Sequence, residues 1–457
     1  MMRDGLFSRH GGFPSWIASG TLCIALSVSL SAQTGGTGQS EPSEATPAQE
    51  EHQHHAVSPE APDQSAGDYL MGLASGTAQN PQSAPMDMIH QQLGDWRTMF
   101  HAQAYVSQVQ QTGPRGRDEF FSANWFMGMA DRPVGKGSFA LRTMISLDPL
   151  TMGKEYPLLF QTGETADGKP IVDGQHPHDF FMELGMVYAR PVGNGFFTAY
   201  VAPVGDPALG PVAFPHRASA SELPQAVIGH HYMDSTHIAF NVVTLGMSSG
   251  MFRGEVSAFH GGEPDENRWD LDPGPIDSFS ARLSFSPSPN WIAQVSRGYL
   301  SEPEALHPGD AERTTASLSH NANFSDGNWS STIAGGRQFK KGHSQTVNSY
   351  LAESMLRFFG RHYVTGRFEL SEKDELFAHS HPRGSQSEAA PEFRIQAYTL
   401  GYTYDIFVGR QIRGGIGANY TFYSFPTNLS FFYGEDPSGT YVFLRLRPVG
   451  SMGGHKH

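Results

Sequence analysis

Cysteine is nearly absent from the sequence. The only one, Cys23, lies in a segment that we expect to be removed. Arg3 and Arg9 precede an apolar run over 16–30, and small residues follow that run as far as Ala32. This order of basic, apolar and small residues predicts a secretory signal peptide over 1–32. The mature chain would then hold no cysteine, which excludes disulfide bonds and thiol chemistry.

Long apolar runs and an excess of basic residues are also missing. Beyond residue 32, no run approaches the roughly 20 apolar residues that a membrane-spanning helix needs. The formal net charge of -14 excludes an ordinary nucleic-acid binder, which contacts phosphates through an excess of Lys and Arg. Segment 33–68 has acidic residues, no Lys or Arg, and much Ser, Pro, Gln, Gly and His, so we expect a disordered acidic spacer there.

The rest of the sequence does contain segments in which apolar and polar residues alternate, as they do in β-strands. Segments 138–147, 278–286 and 411–421 alternate apolar residues with small or polar ones, and they do not follow a helical period. In 278–286, for example, one face carries Phe279, Ala281, Leu283 and Phe285, and the other carries serines and Arg282. This pattern is typical of a strand with lipid on one side and a wet lumen on the other.

About sixteen such segments follow one another, and the connections between them alternate in length. Their predicted starts lie near Thr98, Phe121, Ser138, Asp179, Gly195, Thr236, Phe252, Asp277, Trp291, Thr314, Asn328, Asn348, Arg361, Phe393, Gln411 and Thr440. Every second connection is short and rich in turn residues, and the others are long.

We therefore predict an all-β chain that folds as a closed antiparallel transmembrane β-barrel over 98–447, with about 16 strands (roughly 14–18), periplasmic turns and extracellular loops. A flexible tail, 448–457, would follow the barrel. A soluble propeller or a pair of sandwiches is the competing fold, but no repeat of fixed period favours a propeller. A chain of this kind is expected in the outer membrane of a Gram-negative bacterium, where its partners would be lipid and the barrel-assembly machinery.

The segment 69–97, between spacer and barrel, is expected to form a periplasmic segment or a small plug. Residues 69–93 are too polar and too broken to form a strand. Met71, Met86, Met88 and His90 of this segment could pass a soft metal such as Cu(I), although apolar contact is the ordinary role of methionine.

Histidine is abundant, with 21 residues, and three blocks of His and acidic side chains fall where the long loops are predicted. Imidazole and carboxylate groups are the ligands that a chain without cysteine can offer to Zn or Cu. The candidate metal ligands are His176, His178, Asp179, His216, His230, His231, Asp234, His237, His260, Glu263 and Asp265. The same residues could instead form hydrogen-bonded struts between loops. A third alternative is a hydrolase that uses Ser235 and His237 beside Asp234.

Charged residues also occur at strand positions that should face the lumen. The candidate pore-lining residues are Arg142, Glu183, Arg253, Glu255, Arg282, Arg413 and Arg445. Facing rows of opposite charge can set the ion selectivity of a pore, or they can pair with each other and close it. Both alternatives remain open at the level of sequence.

Four sequence blocks resemble a family of predicted outer-membrane β-barrel proteins of environmental Gram-negative bacteria. They are YPLLFQTGETADGKP from Tyr156, QHPHD from Gln175, DSTHI from Asp234 and GEPDENRW from Gly262. The resemblance covers roughly 94–447 and implies the location and the fold, but it brings no catalytic or binding role to any residue. The hypothesis that follows is a porin-like channel or receptor for small polar solutes or metal ions, with a lipase- or esterase-type hydrolase, or a structural surface barrel, as alternatives. No cofactor other than a divalent metal is implied.

Overall fold

The computed structural model describes residues 64–305, 309–341, 344–377 and 391–450. The predicted signal peptide, almost all of the acidic spacer and most of the C-terminal tail lie outside these residues. The strands are β1 (Met88–Leu93), β2 (Trp96–Gln111), β3 (Glu119–Val134), β4 (Gly137–Ile145), β5 (Tyr156–Ala166), β6 (Lys169–Gln175), β7 (Phe181–Val192), β8 (Gly195–Gly205), β9 (Ala239–Ser249), β10 (Phe252–His260), β11 (Ser278–Ser288), β12 (Trp291–Leu300), β13 (Ala311–Phe324), β14 (Gly327–Lys340), β15 (Gln345–Phe358), β16 (His362–Lys373), β17 (Phe393–Val408), β18 (Ile412–Ser424) and β19 (Ser438–Pro448). The short helices are α1 (Ala66–Met71), α2 (Asp148–Thr151), α3 (His230–Met233) and α4 (Ser430–Tyr433), with 3-10 turns at Phe214–His216, Ala218–Ala220, Ser235–His237 and Thr427–Leu429.

Sixteen of the described strands, β2–β4 and β7–β19, form one closed antiparallel barrel. The last strand returns to the first of the sixteen, with Gly439 opposite Gln111 and Leu446 opposite Ala104. The prediction of a closed sixteen-strand barrel is confirmed, and no predicted strand start lies more than three residues from the observed one. Tight turns and long connections alternate around the barrel, which gives it a turn end and a long-loop end.

The expectation that 69–93 contains no strand is wrong for its last six residues. Strand β1 pairs with the start of β2, from Met88 opposite His101 to Leu93 opposite Trp96. Strand β19 stops short of this part of β2, so the backbone N–H and C=O groups there would have no partner without β1. Completion of this edge explains why a polar segment adopts strand geometry.

The outer face of the barrel is apolar, and the inner face carries the polar residues. Phe279 and Leu283 of β11 are exposed on the outside, whereas Ser280 and Arg282 between them are buried within. A broad exposed apolar face needs lipid or a partner to cover it, and a closed barrel with such a face spans a membrane. Among the described residues, no helix is both long enough and apolar enough to cross a membrane.

Two segments fill the barrel interior, and we call them the plug (66–87) and the inner loop (206–238). The plug lies in the turn half, where Arg142 donates to the carbonyl oxygens of Ala74 and Gly76. The inner loop crosses the middle of the lumen, where its Arg217 pairs with Glu353 of β15 at 2.5 Å. Together they bury the inward side chains, so the interior at this level is packed.

Candidate cation site at the long-loop end

Glu164, His176 and His231 come together at the long-loop end, although 67 positions separate the first from the last. Glu164 belongs to the β5–β6 hairpin, His176 follows β6, and His231 lies in α3 of the inner loop. One potential ligand atom from each residue lies within 4.8 Å of the other two. Gly163 permits this close approach of His231, because a Cβ atom on Gly163 would lie only 2.5 Å from Nε2 of His231.

Both imidazole rings of this cluster turn Nε2 toward the shared space. Nδ1 of His176 lies 3.0 Å from the carbonyl oxygen of Pro177, an acceptor only, so Nδ1 carries the hydrogen. Nδ1 of His231 lies 3.5 Å from Oε1 of Glu263. Metal-binding histidines commonly donate the second ring N–H to a carbonyl or a carboxylate in this way. The arrangement therefore fixes the tautomer that leaves each Nε2 free to bind a cation.

The two Nε2 atoms are buried, and the structure gives neither a well-formed hydrogen bond to a described residue. Nε2 of His176 does lie 2.7 Å from Oε1 of Glu164, but the geometry is not that of a hydrogen bond. A cavity of about 20 Å³ adjoins the cluster and is lined by Glu164, His231 and Glu263. A space of that size holds about one water molecule or ion.

Charge at the cluster is balanced by Arg268, which contacts Oε2 of Glu164 and leaves Oε1 facing His176. Burial acts to raise the pKa of Glu164, but the charges of Arg268 and His176 outweigh it and hold that pKa below its usual range. Burial lowers the pKa of His176 to about 4. For His231 burial acts in the same direction, but Glu263 outweighs it and raises the pKa.

Asp179 lies beside this cluster, 3.6 Å from Arg268, and its carboxyl oxygens have no hydrogen bond to the described residues. Burial raises the pKa of Asp179 to about 8, against the opposing charge of Arg268.

The contribution of Asp179 to the stability of the protein should therefore fall as pH rises from about 4 to about 8, whereas His176, whose pKa is lowered, contributes a slope of the opposite sign below the ordinary pKa of histidine. In that range the folded state keeps a proton on Asp179 that the unfolded state has released, so the loss is at most about 1.4 kcal/mol per pH unit. Urea unfolding at several pH values checks this expectation. Relative to the wild type, Asp179→Asn should gain stability as pH rises through this range, and a difference between the two proteins that does not change with pH would contradict the assignment to Asp179.

A second group of histidines is held by hydrogen bonds, with His230 and His237 in the inner loop and His178 beside it, where its ring lies 5.5 Å from that of His237. Nδ1 of His178 lies 2.8 Å from Asp148, and Nδ1 of His230 lies 2.8 Å from Asp234. His237 bonds to the backbone oxygen of Asp234. Asp234 also accepts a bond from the backbone N–H of Phe214 and pairs with Arg217. These contacts describe struts that hold the inner loop in place.

The other predicted ligands do not join either group. His216 lies inside the barrel with Nε2 2.9 Å from Sδ of Met144. His260 contacts Asp277 at 3.2 Å. Asp265 is grouped with Asp270 and Asp272 at an exposed position.

Ser235 and His237, the residues of the hydrolase alternative, are not joined to each other. Oγ of Ser235 accepts a hydrogen bond from Arg313, and Nε2 of His237 has no hydrogen bond to the described residues. The two residues begin and end a single 3-10 turn, and Nδ1 of His237 is engaged by the backbone oxygen of Asp234.

All seven predicted pore-lining residues lie on the inner face, where they are buried in ion pairs. Arg142 pairs with Glu183 at 3.1 Å. Arg253 and Arg282 both pair with Glu255, at 2.9 and 3.0 Å. Arg413 and Arg445 both pair with Asp405 of β17.

Several functional candidates were not singled out from the sequence. Glu164 lies within the block that starts at Tyr156, but nothing in its spacing links it to His176 or His231. Glu222 of the inner loop, which contacts Arg445, and Glu353, which contacts Arg217, are single acids in otherwise ordinary segments. Only the folding of the inner loop into the barrel brings these residues to their partners.

No family model matches the chain, and no curated protein does. Similar solved structures include an anion-selective porin from Comamonas acidovorans, with a TM-score of 0.46 and 11% identity over 77% of this chain and 99% of the porin. They also include OprB of Pseudomonas putida at high pH (0.49, 8%, 77% and 94%) and the outer-membrane channel DcaP of Acinetobacter baumannii (0.43, 10%, 78% and 99%). At these TM-scores and identities, no conclusion about function follows from the similarity. The closed sheet of sixteen strands and its apolar outer face make this chain an outer-membrane β-barrel.

Proposed function

We propose that this barrel is a porin-like channel or receptor for small polar solutes or metal ions, and that Glu164, His176 and His231 bind a divalent cation at its outer mouth. The observation that carries the proposal is the convergence of three ligand atoms within 4.8 Å beside a buried cavity. Long loops of outer-membrane barrels face the outside, which would put this cluster where an external cation arrives.

The chemistry of the ligands favours Zn(II) or Cu(II). Two imidazole nitrogens and one carboxylate oxygen are borderline ligands of the kind that these ions prefer, and they leave a coordination position for water or a solute. Arg268 already balances one oxygen of Glu164, so the bound ion would add positive charge to a site that retains Glu263 beside His231.

The packed interior supports a channel that opens by movement. The plug and the inner loop lie one below the other, and both are held by buried ion pairs and hydrogen bonds to the wall. His231 and the struts of the inner loop belong to the same segment, 206–238. A cation that binds His231 would therefore act directly on the element that crosses the lumen.

Binding of Zn(II) to the detergent-purified, metal-stripped protein tests the proposal. Isothermal titration should show one site whose affinity falls at least about 100-fold in His231→Ala and Glu164→Gln, and about 10- to 100-fold in Glu263→Gln, which removes only the orienting acceptor. His260→Ala is the matched control, because this histidine lies at the same end of the barrel outside the cluster. Equal affinities in all four variants would overturn the cation site.

A further inference from the structure

Methionine is concentrated in one part of the barrel interior. Seven of the 17 methionines in the sequence belong to a single buried cluster: Met71, Met88, Met99, Met127, Met129, Met144 and Met182. Met86 of the plug packs against it. Methionine can serve as an adaptable apolar filler, but its thioether sulfur is also a soft ligand for metal ions.

Part of this cluster forms one row across neighbouring strands. Met88 of β1 lies opposite His101 of β2, and His101 lies opposite Met127 of β3. Met127 in turn lies opposite Met144 of β4. Directly opposed residues of an antiparallel sheet have Cβ atoms about 5 Å apart on the same face. The row therefore places three sulfur atoms and one imidazole side by side on the inner wall.

His216 of the inner loop reaches down onto this row. Its Nε2 lies 2.9 Å from Sδ of Met144, and its ring lies 6.2 Å from that of His101 with Trp125 beside both. The plug helps to hold it there, because the side-chain amide of Asn80 donates to the backbone oxygen of His216 at 2.9 Å. This contact is a hydrogen bond between the imidazole and the thioether, and it places a nitrogen and a sulfur ligand atom side by side.

A cavity of about 70 Å³ opens next to these side chains, between the plug and the inner loop. Its lining includes Met86, Met88, Met127, His101 and His216. Asp87 also lies there, but Arg447 engages its carboxylate at 3.1 Å. Apart from Asp87, the potential metal ligands in the lining are neutral thioethers and imidazoles, and the lining also contains Arg217, Arg357 and Arg447.

We infer that this row, which we call the methionine–histidine row (Met88, His101, Met127, Met144, with His216), binds a soft monovalent cation of the Cu(I) class inside the barrel. Neutral sulfur and imidazole ligands select such ions over Zn(II) or Mg(II). The inference rests on the interior geometry alone and does not require the cation site at the outer mouth. A cation held between the plug and the inner loop would lie on the path between the two ends of the barrel.

Binding of Ag(I), a redox-stable ion of the same charge and softness, tests the inference. Equilibrium dialysis of the purified full chain followed by elemental analysis should show one strongly held Ag(I), and Met144→Leu and His216→Ala should each weaken it at least about tenfold. Met247→Leu, on the lipid face, and His260→Ala are the matched controls. A heat-dependent shift on gels shows whether each variant has folded as a barrel. Met144→Leu nearly conserves side-chain volume, so this variant still tests the inference if His216→Ala does not fold.

X-ray absorption of the Cu(I)-loaded protein provides a second measurement. No cysteine occurs beyond residue 23, so sulfur in the first coordination shell of a mature chain can come only from methionine. A shell with sulfur and nitrogen supports the row, and a shell of nitrogen and oxygen alone overturns it. Loss of Ag(I) binding in His231→Ala but not in Met144→Leu would also overturn it, while leaving the outer site intact.

Discussion

A barrel that lacks residues 66–87 and also carries Arg217→Ala is expected to conduct at least about tenfold more current in planar bilayers than the wild type. The deletion removes the plug from the turn half. The substitution removes the guanidinium that joins Asp234 of the inner loop to Glu353 of the wall, at 3.2 and 2.5 Å. Asp234 then keeps His230 at 2.8 Å and Glu353 keeps Arg367 at 3.0 Å, but the ion-pair link between the inner loop and the wall at this level is lost, which loosens the inner loop.

Each change alone should have a much smaller effect on the current. The plug and the inner loop obstruct the lumen in series, so the element that remains still limits the flow of ions. Arg297→Ala is the control for the substitution, because Arg297 belongs to an exposed ion pair on the outside. If the double variant inserts and folds but its conductance stays at the wild-type level, the channel function proposed for this barrel is wrong.

The barrel itself was predictable because its signals are local. A strand that faces lipid must alternate its residues with a period of two, and segments such as 278–286 show that alternation without knowledge of their neighbours. Turn residues and long connections then fix the antiparallel order of the strands. The strand β1 was missed because it forms in response to the free edge of β2, and residues 88–93 carry no alternation of their own that predicts it.

The sites were predictable only in part because they are assembled from distant segments. The sequence identified His176, His231 and Glu263 as candidates. It gave eleven candidate ligands in all, however, and nothing in it separated metal ligands from residues that only hold the loops. The structure separates a cluster with free nitrogens from a set of struts such as His230 with Asp234, and this division depends on how the inner loop folds into the barrel.

The inward-facing charges illustrate the same limit. Alternation alone placed Arg142, Arg282 and Arg445 on the inner face, and the structure buries them there. Their partners could not be predicted, because Glu222 reaches Arg445 only through the inner loop. If they were unpaired, these arginines would line a water-filled pore. In the structure they are paired, and they hold the plug and the inner loop, which close the lumen.

Arg445→Met is expected to lower the free energy of unfolding by about 3–5 kcal/mol, the usual cost of removing one partner from a buried ion pair. The guanidinium of Arg445 is fully buried and contacts both Glu222 and Asp405. Its loss leaves Asp405 with Arg413 at 3.4 Å and Glu222 with Arg447 at 3.1 Å, and neither contact replaces the hydrogen bonds that are lost. Urea unfolding followed by tryptophan fluorescence in micelles measures the change.

The triple variant Arg445→Met, Glu222→Gln, Asp405→Asn should recover a large part of that loss, because it no longer buries a carboxylate without its main partner. Arg297→Ala removes an exposed arginine and should cost less than about 1 kcal/mol. The contrast between the two arginines follows from desolvation, since Glu312 remains hydrated without Arg297, whereas the partners of Arg445 cannot reach water unless the inner loop moves. Equal losses in Arg445→Met and Arg297→Ala would mean that the inner loop is not fastened to the wall by Arg445.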